Sequence, residues 1–543
     1  QLLKPKKNLT QTMSKDDSSA AAKALQLRHV FGFRSDVSKP FNFLDETHVV
    51  FTAGHSIIIH NIEDKTQTFI SGQNHGSLLP SCGITAIDIY SPKKLIAIAE
   101  KTEKVAIISL YELLSENKKR RRKVIQCSDI ISREIISLSF SSDSKFILAI
   151  GGAPDWSIIN YHREKGRIIQ IIKNQTISTM PFYNGSYCPS DNNLIICSGH
   201  KVLKFYKSEQ SELKPIQISL GKRETCDYTS HCWDQDRRLL IATEHAEILI
   251  FDGTEFRGVF DTQFTLSIFS IISFSKGFIC GCDNGTILVF ERGDDKEMYK
   301  KINKLSIFGN YSMTHLSLPP SEEQIVCCLN NNQIYTLNLS QIEVLKQDDN
   351  NFELLLTPFH YKGITGLDLC IRKSYLVSCG YDKSVKIWNW NEKKLIINKL
   401  FNEIPLCITM HPSGLHIVIG FSDKLRLMNI LIDDIRGYKD FSIKGCTQVK
   451  FSNGGQYFAA INASAVQIYQ TYTFNNIATL RGHTAKVTNL WWYFDDSLLI
   501  TSSIDNSVLV WNINNNTRTQ EHQHKGCSYL SAALDNKQLL YAS

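Results

Sequence analysis

Two stretches of the chain, His360 to Asn389 and His483 to Asn512, superimpose without a gap. In each, His precedes Asp by 22 positions (His360 to Asp382, His483 to Asp505) and Asp precedes Trp by 6 (Asp382 to Trp388, Asp505 to Trp511). The two Asp residues stand 123 positions apart, which is three periods of 41. A period of that size means that one supersecondary unit recurs, each copy burying its apolar face against the next because so short a unit builds no core alone. Short runs with alternating faces, such as Ser384-Val385-Lys386-Ile387-Trp388, are broken by Asp, Asn and Gly turns, so the unit consists of antiparallel strands.

A period of about 40 to 45 residues that opens on Gly482-His483 and finishes on Trp388-Asn389 or Trp511-Asn512 resembles the blades of WD-repeat β-propellers. The expected fold class is therefore all-β, as tandem WD40 β-propellers. The resemblance implies a polar relay in each blade, in which His donates to the turn Asp and a strand Ser or Thr joins His to the ring nitrogen of a buried Trp. The candidates are His483, Ser503, Asp505 and Trp511 in one blade and His360, Asp382 and Trp388 in the other, where Gly380 stands in the place of Ser503 and leaves the relay incomplete. A closed relay satisfies buried polar groups and fixes strand register. A His–Asp pair recurring at the blade period has this structural role and not that of a catalytic triad.

Weaker copies read as blades over 28–70, 82–115, 133–173, 177–218, 225–260, 266–300 and 311–345, then 357–400, 404–442, 445–480 and 482–521, with a fragment from Gly526 to Ser543. Propellers usually close at about four to eight blades, seven suiting WD repeats. The economical division is a first propeller of about seven blades over 28–350 and a second, partial one over 351–543, joined through Gln347-Asp348-Asp349-Asn350-Asn351. An open ring exposes a sheet edge, so the chain is expected to continue beyond Ser543. Residues 1–27, without apolar periodicity, read as a flexible tail.

With 43% hydrophobic and 21% charged residues the chain has material for a large core, and a net charge of +7 on 60 basic and 53 acidic residues is far from the basic field of a dedicated nucleic-acid binder. The fifteen cysteines lie mostly in apolar runs, as in Val326-Cys327-Cys328-Leu329, which indicates free thiols in a reducing compartment. No apolar stretch is long enough to span a bilayer, so no membrane is an expected partner, and on the mild net charge no nucleic acid is expected either. Phosphate loops, nucleophile elbows, zinc helices and calcium loops are all missing from the sequence, and Cys226, His231 and Cys232 fall short of a four-ligand zinc set. Neither enzymatic activity nor a cofactor is expected. The run Lys118-Lys119-Arg120-Arg121-Arg122-Lys123 reads as a solvated loop between the second and third blades and a candidate contact for an acidic protein surface, with a nuclear signal or a nucleic-acid contact as the remaining alternatives.

One segment goes beyond a generic blade: His411-Pro-Ser-Gly-Leu-His-Ile-Val-Ile-Gly-Phe-Ser-Asp-Lys-Leu-Arg-Leu-Met-Asn-Ile-Leu-Ile-Asp-Asp-Ile-Arg436. With Phe441-Ser-Ile-Lys-Gly-Cys446, and His29-Val-Phe-Gly-Phe-Arg-Ser-Asp-Val37 near the start, it resembles the WD-repeat region of the cilia- and flagella-associated protein 57 family. Leu425-Arg426-Leu427-Met428 alternates as a core strand should, whereas Asp433, Asp434 and Arg436 sit at a turn and are the better candidates for partner contacts. The resemblance implies two propellers ahead of a long coiled coil, and a structural part of the axoneme of motile cilia that helps assemble and anchor inner-arm dyneins on doublet microtubules. The implied partners are inner-arm dynein subunits and neighbouring cilia- and flagella-associated proteins, with tubulin as a further candidate. The repeats alone would also suit a general cytoplasmic interaction hub.

Overall fold

The computed structural model describes residues 27–543 apart from 73–80, 116–117, 174–180, 210–211, 222, 294–297, 308, 341, 343, 346–350, 525 and 536–539. The expected tail lies almost wholly outside the described residues, as does most of the expected linker. Among the described residues eleven four-stranded antiparallel sheets and one two-stranded sheet follow one another, each built from consecutive strands in simple meander order. No α-helix occurs among the described residues. We number the sheets as blades 1 to 11 in chain order.

Two compact units divide at Phe359 and His360. The first holds blades 1 to 7, from Phe41–Phe43 to Glu353–Leu354. Its last blade meets its first: Ser35 donates its backbone N–H and its hydroxyl to Asn332 Oδ1 (3.0 and 2.7 Å), and Ser321 does the same to the Glu46 carboxylate (2.7 and 2.9 Å). The second unit holds blade 8 (Ile364–Leu369 to Lys394–Leu400), blade 9 (Cys407–Met410 to Ile435–Phe441), blade 10 (Val449–Phe451 to Asn476–Leu480), blade 11 (Val487–Trp492 to Thr517–Gln523) and the strand pair Ala532–Leu534 and Leu540–Ala542. The break falls later than the expected 350, because blade 7 takes its short outer strand from Glu353–Leu354, and Gln333 Nε2 ties down the carbonyl of Phe359 at 2.8 Å.

The core lies between blades, where the side chains that alternate out of one sheet meet those of the next. Between blades 2 and 3, Ala97, Ala99 and Ile108 pack on Leu138, Ile147 and Tyr161; between blades 8 and 9, Val377, Cys379 and Ile387 pack on Ile408, Met410 and Ile419. A register shift recurs in the outer strand pair, just before Tyr161, Phe251, Phe290, Trp388, Tyr469 and Trp511. Such bulges strengthen right-handed twist, and at this place they let the outer strand turn away while a large ring fills the gap.

Candidate functional site

The relay is complete in two blades, through hydroxyls other than the one expected. In blade 11 His483 Nδ1 faces the Asp505 carboxylate at 3.1 Å, its Nε2 faces Thr501 Oγ1 at 2.8 Å, and Trp511 Nε1 donates to that same Thr501 oxygen at 3.0 Å. Ser503, the expected link, instead donates to the carbonyl of Lys486 at 2.9 Å. In blade 8 His360 Nδ1 meets Asp382 at 2.9 Å, Nε2 meets Ser378 Oγ at 2.8 Å, and Trp388 Nε1 donates to Ser378 at 2.9 Å, so Gly380 leaves nothing incomplete. Thr501 and Ser503 point to the same side of one strand. Alternation therefore could not choose between them, whereas the register does. Ser384 and Ser507, which the sequence reading missed, each add a hydroxyl between Asp and His, Ser384 donating to Asp382 at 2.8 Å.

These carboxylates are held charged inside the fold. Burial works against the Asp505 anion, but hydrogen bonds from Ser507, from the N–H of Thr484 and from His483 pull its pKa down to about 2. Burial likewise opposes Asp382, and His360 and Ser384 outweigh it. A third polar knot ties blade 4 to blade 5: the ring nitrogens of His231 each meet a hydroxyl at 2.8 Å, Ser186 and Ser198, and Trp233 Nε1 donates to Ser186 at 3.2 Å. Burial lowers the His231 pKa to about 3. With both nitrogens engaged and so weak a basicity, this Ser–His contact holds strands together and offers no general base near neutrality.

In two places a carboxylate on an innermost strand binds one blade to the next. Asp88 accepts from the N–H of Phe140 at 2.7 Å and is paired with Lys39 at 2.6 Å. Asp368 does the same in the second unit, accepting from Thr409 Oγ1 and Met410 N at 2.7 and 2.8 Å, with Lys450 as its ion partner.

Of the surface candidates, the basic run is a strand and not a loop. Lys118–Cys127 is the outer strand of blade 2, paired along Ala106–Ser115. An outermost strand has backbone partners on one side only, so cations fit there and also discourage edge-to-edge association. Arg122 bonds Glu112 through Nε at 2.6 Å, and Lys123 donates to the carbonyl of Gly166 in blade 3 at 2.7 Å. Lys119, Arg120 and Arg121 remain exposed.

The turn of blade 9 places Asp433, Asp434 and Arg436 differently from one another. Asp433 is exposed; Asp434 caps the N–H of Ile435 at 2.7 Å and accepts Lys399 of blade 8 at 2.6 Å. Arg436 lines a cleft of about 520 Å³ between the outer strands of blades 8 and 9, floored by Phe401, Phe421 and Met428 and rimmed by Lys399, Lys424 and Arg426. Arg426 grips Asp440 through two nitrogens at 2.7 and 2.9 Å. The cleft thus sets a few largely buried apolar side chains within a frame of paired charges. Among the described residues no group of three His, Cys, Asp or Glu side chains is placed to hold a metal, and no helix is long and apolar enough to cross a membrane.

Known proteins match this chain closely. The WD domain, G-beta repeat family matches residues 353–389 and 474–512, the two segments that carry the complete relays. Cilia- and flagella-associated protein 57 of Mus musculus is 32% identical over 95% of the chain, and cilia- and flagella-associated protein 57 A of Tetrahymena thermophila is 30% identical over 94%. Echinoderm microtubule-associated protein-like 1 of Rattus norvegicus is 19% identical over 90% of the chain and 59% of its own length. The chain spans less than half of the first two relatives, 45% and 44% of their lengths.

Proposed function

Because the chain belongs to the WD-repeat proteins and matches cilia- and flagella-associated protein 57 along nearly its whole length, we propose that it is a non-enzymatic axonemal scaffold whose propeller surfaces help assemble and anchor inner-arm dyneins on doublet microtubules. It is a cilium- and flagellum-associated WD-repeat protein. The observation that carries it is the extent of the match, 95% of the chain, across both units and not only across the two regular repeats. The arrangement of the polar groups supports it: His231, His360 and His483 are spent on holding strands, so that what the molecule offers outward is shape and charge. Removing the protein from a ciliated cell should leave axonemes depleted of a subset of inner-arm dynein heavy chains, with outer arms retained. A full inner-arm complement, or a tagged chain excluded from cilia, refutes it.

A direct tubulin contact is a second element of the proposal, favoured by the exposed Lys119, Arg120 and Arg121 on the outer strand of blade 2. The rat relative is microtubule-associated by name, and the surface of a microtubule is acidic. Co-sedimentation with microtubules should fall steeply with added salt and be lost on reversing these three charges. Equal pelleting of wild type and variant argues against it.

A further inference from the structure

Turns joining first to second and third to fourth strands share one face of a blade, because the chain reverses there twice in each meander. In blades 8 to 11 this face carries Ile371, Trp390, Leu415, Ile432, Tyr472 and Phe494, all exposed, Ile432 at 94%. The same turns of the first unit read Ser91-Pro92-Lys93, Ser142-Asp143-Ser144-Lys145 and Gln235-Asp236-Arg237. There, among the described residues, only Leu114, Met298 and Val344 are large apolar side chains exposed at or beside a turn. Single exposed apolar residues are ordinary; a series running over four consecutive blades marks an interaction surface. Blades 9 and 10 have neighbours on both sides, so the exposure of Leu415, Ile432 and Tyr472 does not arise from an open end of the sheet series.

The turns form a stitched platform. Cys370 Sγ in blade 8 donates to the carbonyl of Pro412 in blade 9 at 3.2 Å, His411 Nε2 meets the carbonyl of Gly455 in blade 10 at 3.0 Å, and Asn453 N donates to Asp496 in blade 11 at 2.7 Å. Backbone groups at the tips are already used, as in Ile430 N to Leu415 O and Leu431 N to Asp434 O, both 2.8 Å. A partner can therefore add no strand here and must bring side chains. The charges differ along the series: Arg372 and Lys373 stand exposed beside Glu392 at the blade 8 end, Asp433 is exposed in blade 9, the turns of blade 10 carry none, and Asp495 is exposed at the blade 11 end, where the half-buried Asp496 is taken up by Asn453 and Gly454.

We propose that this face is a homodimer interface, occupied by the same face of a second copy of the chain. A two-fold axis lying in the interface between blades 9 and 10 exchanges blade 8 with blade 11 and blade 9 with blade 10. The cations of one copy then meet the carboxylates of the other at both ends, while Leu415 and Ile432 meet Tyr472 across the middle. With exposed apolar tips at its centre, Asp433 of blade 9 facing the uncharged turns of blade 10, and cations at one end against Asp495 at the other, the face is complementary to itself, as a two-fold contact requires.

The test is sedimentation of the 543-residue chain and of its charge variants. Wild type should sediment at twice its 61.7 kDa mass at micromolar concentration. Ile432→Glu should raise the dimer dissociation constant at least about tenfold with an unchanged unfolding midpoint. Arg372→Glu with Lys373→Glu should give monomers, Asp495→Lys should give monomers, and mixing the two variants should restore a dimer, since each reversed end then finds its complement. Only folded chains can be rescued in this way. A monomeric wild type, a dimer indifferent to Ile432→Glu, or a mixture that stays monomeric overturns the proposal.

Discussion

Thr501→Val in blade 11 isolates the relay hydroxyl with almost no change of volume. Thr501 is fully buried and its oxygen serves two partners, facing His483 Nε2 at 2.8 Å and accepting from Trp511 Nε1 at 3.0 Å. With Nδ1–H of His483 directed at Asp505, the threonine O–H donates to Nε2, so valine leaves one buried acceptor and one buried donor unsatisfied. Each such group costs about 1 to 3 kcal/mol, which places the total at about 2 to 6 kcal/mol. Ser503→Ala, two residues on, removes a hydroxyl that donates to the Lys486 carbonyl at 2.9 Å and accepts from Asp505 N at 3.2 Å beside the turn, a loss of about 1 kcal/mol. Five of the seven tryptophans lie in the second unit, so tryptophan emission during urea unfolding follows mainly this unit. The Thr501→Val midpoint should drop by at least twice the Ser503→Ala shift. Equal shifts, or a larger one for Ser503→Ala, would refute the assignment of the relay.

Thiol labelling of the native protein should modify Cys82 and Cys527 first, since both are exposed while the other thirteen are buried or half-buried; intact mass before and after denaturation counts them. Burial drives the Cys127 and Cys282 thiols up to about 12, which slows their reaction further. Acid should weaken the first unit: burial lowers His231 to about 3 and His315 to about 4, against about 6.5 in the unfolded chain, so the unfolded state binds more protons between these values. Stability contributed by the two neutral rings is fully present above about pH 6.5 and is lost as pH falls toward the folded values, and His315→Phe should flatten the slope of urea midpoint against pH in that window. Asp368→Ala removes the acceptor of both Thr409 Oγ1 and Met410 N between blades 8 and 9, and calorimetry should register a loss of about 2 to 4 kcal/mol from the second unit.

Blades 8 and 11 were legible in the sequence because they keep His, Asp and Trp at fixed spacing, and these three residues are the ones the relay joins. The relay hydroxyl also has a fixed place, 18 residues after His and 10 before Trp in both blades, yet strand alternation offered Ser503 equally well. In the first unit the described residues show a different polar tie, His231 held between two serines of the preceding blade. No single residue pattern repeats there, and only the alternation of strands and turns reveals the blades. The outer strand of blade 2 was missed for a different reason. Six cations in a row carry no alternating signal, and the strand exists because backbone pairing with Ala106–Ser115 holds it while Lys119, Arg120 and Arg121 stay in water. Exposed turn tips are legible least of all, since a lone Ile432 in the sequence looks like core until its neighbours in space are known.

Crosslinking mass spectrometry on isolated, demembranated axonemes tests the scaffold reading most directly, because it reports residence and partner together. The chain should remain with the axoneme through detergent extraction, and its lysines, Lys119 and Lys399 among them, should crosslink to inner-arm dynein subunits, tubulin or neighbouring cilia- and flagella-associated proteins. Full release into the detergent extract, with crosslinks confined to soluble cytoplasmic proteins, would contradict it.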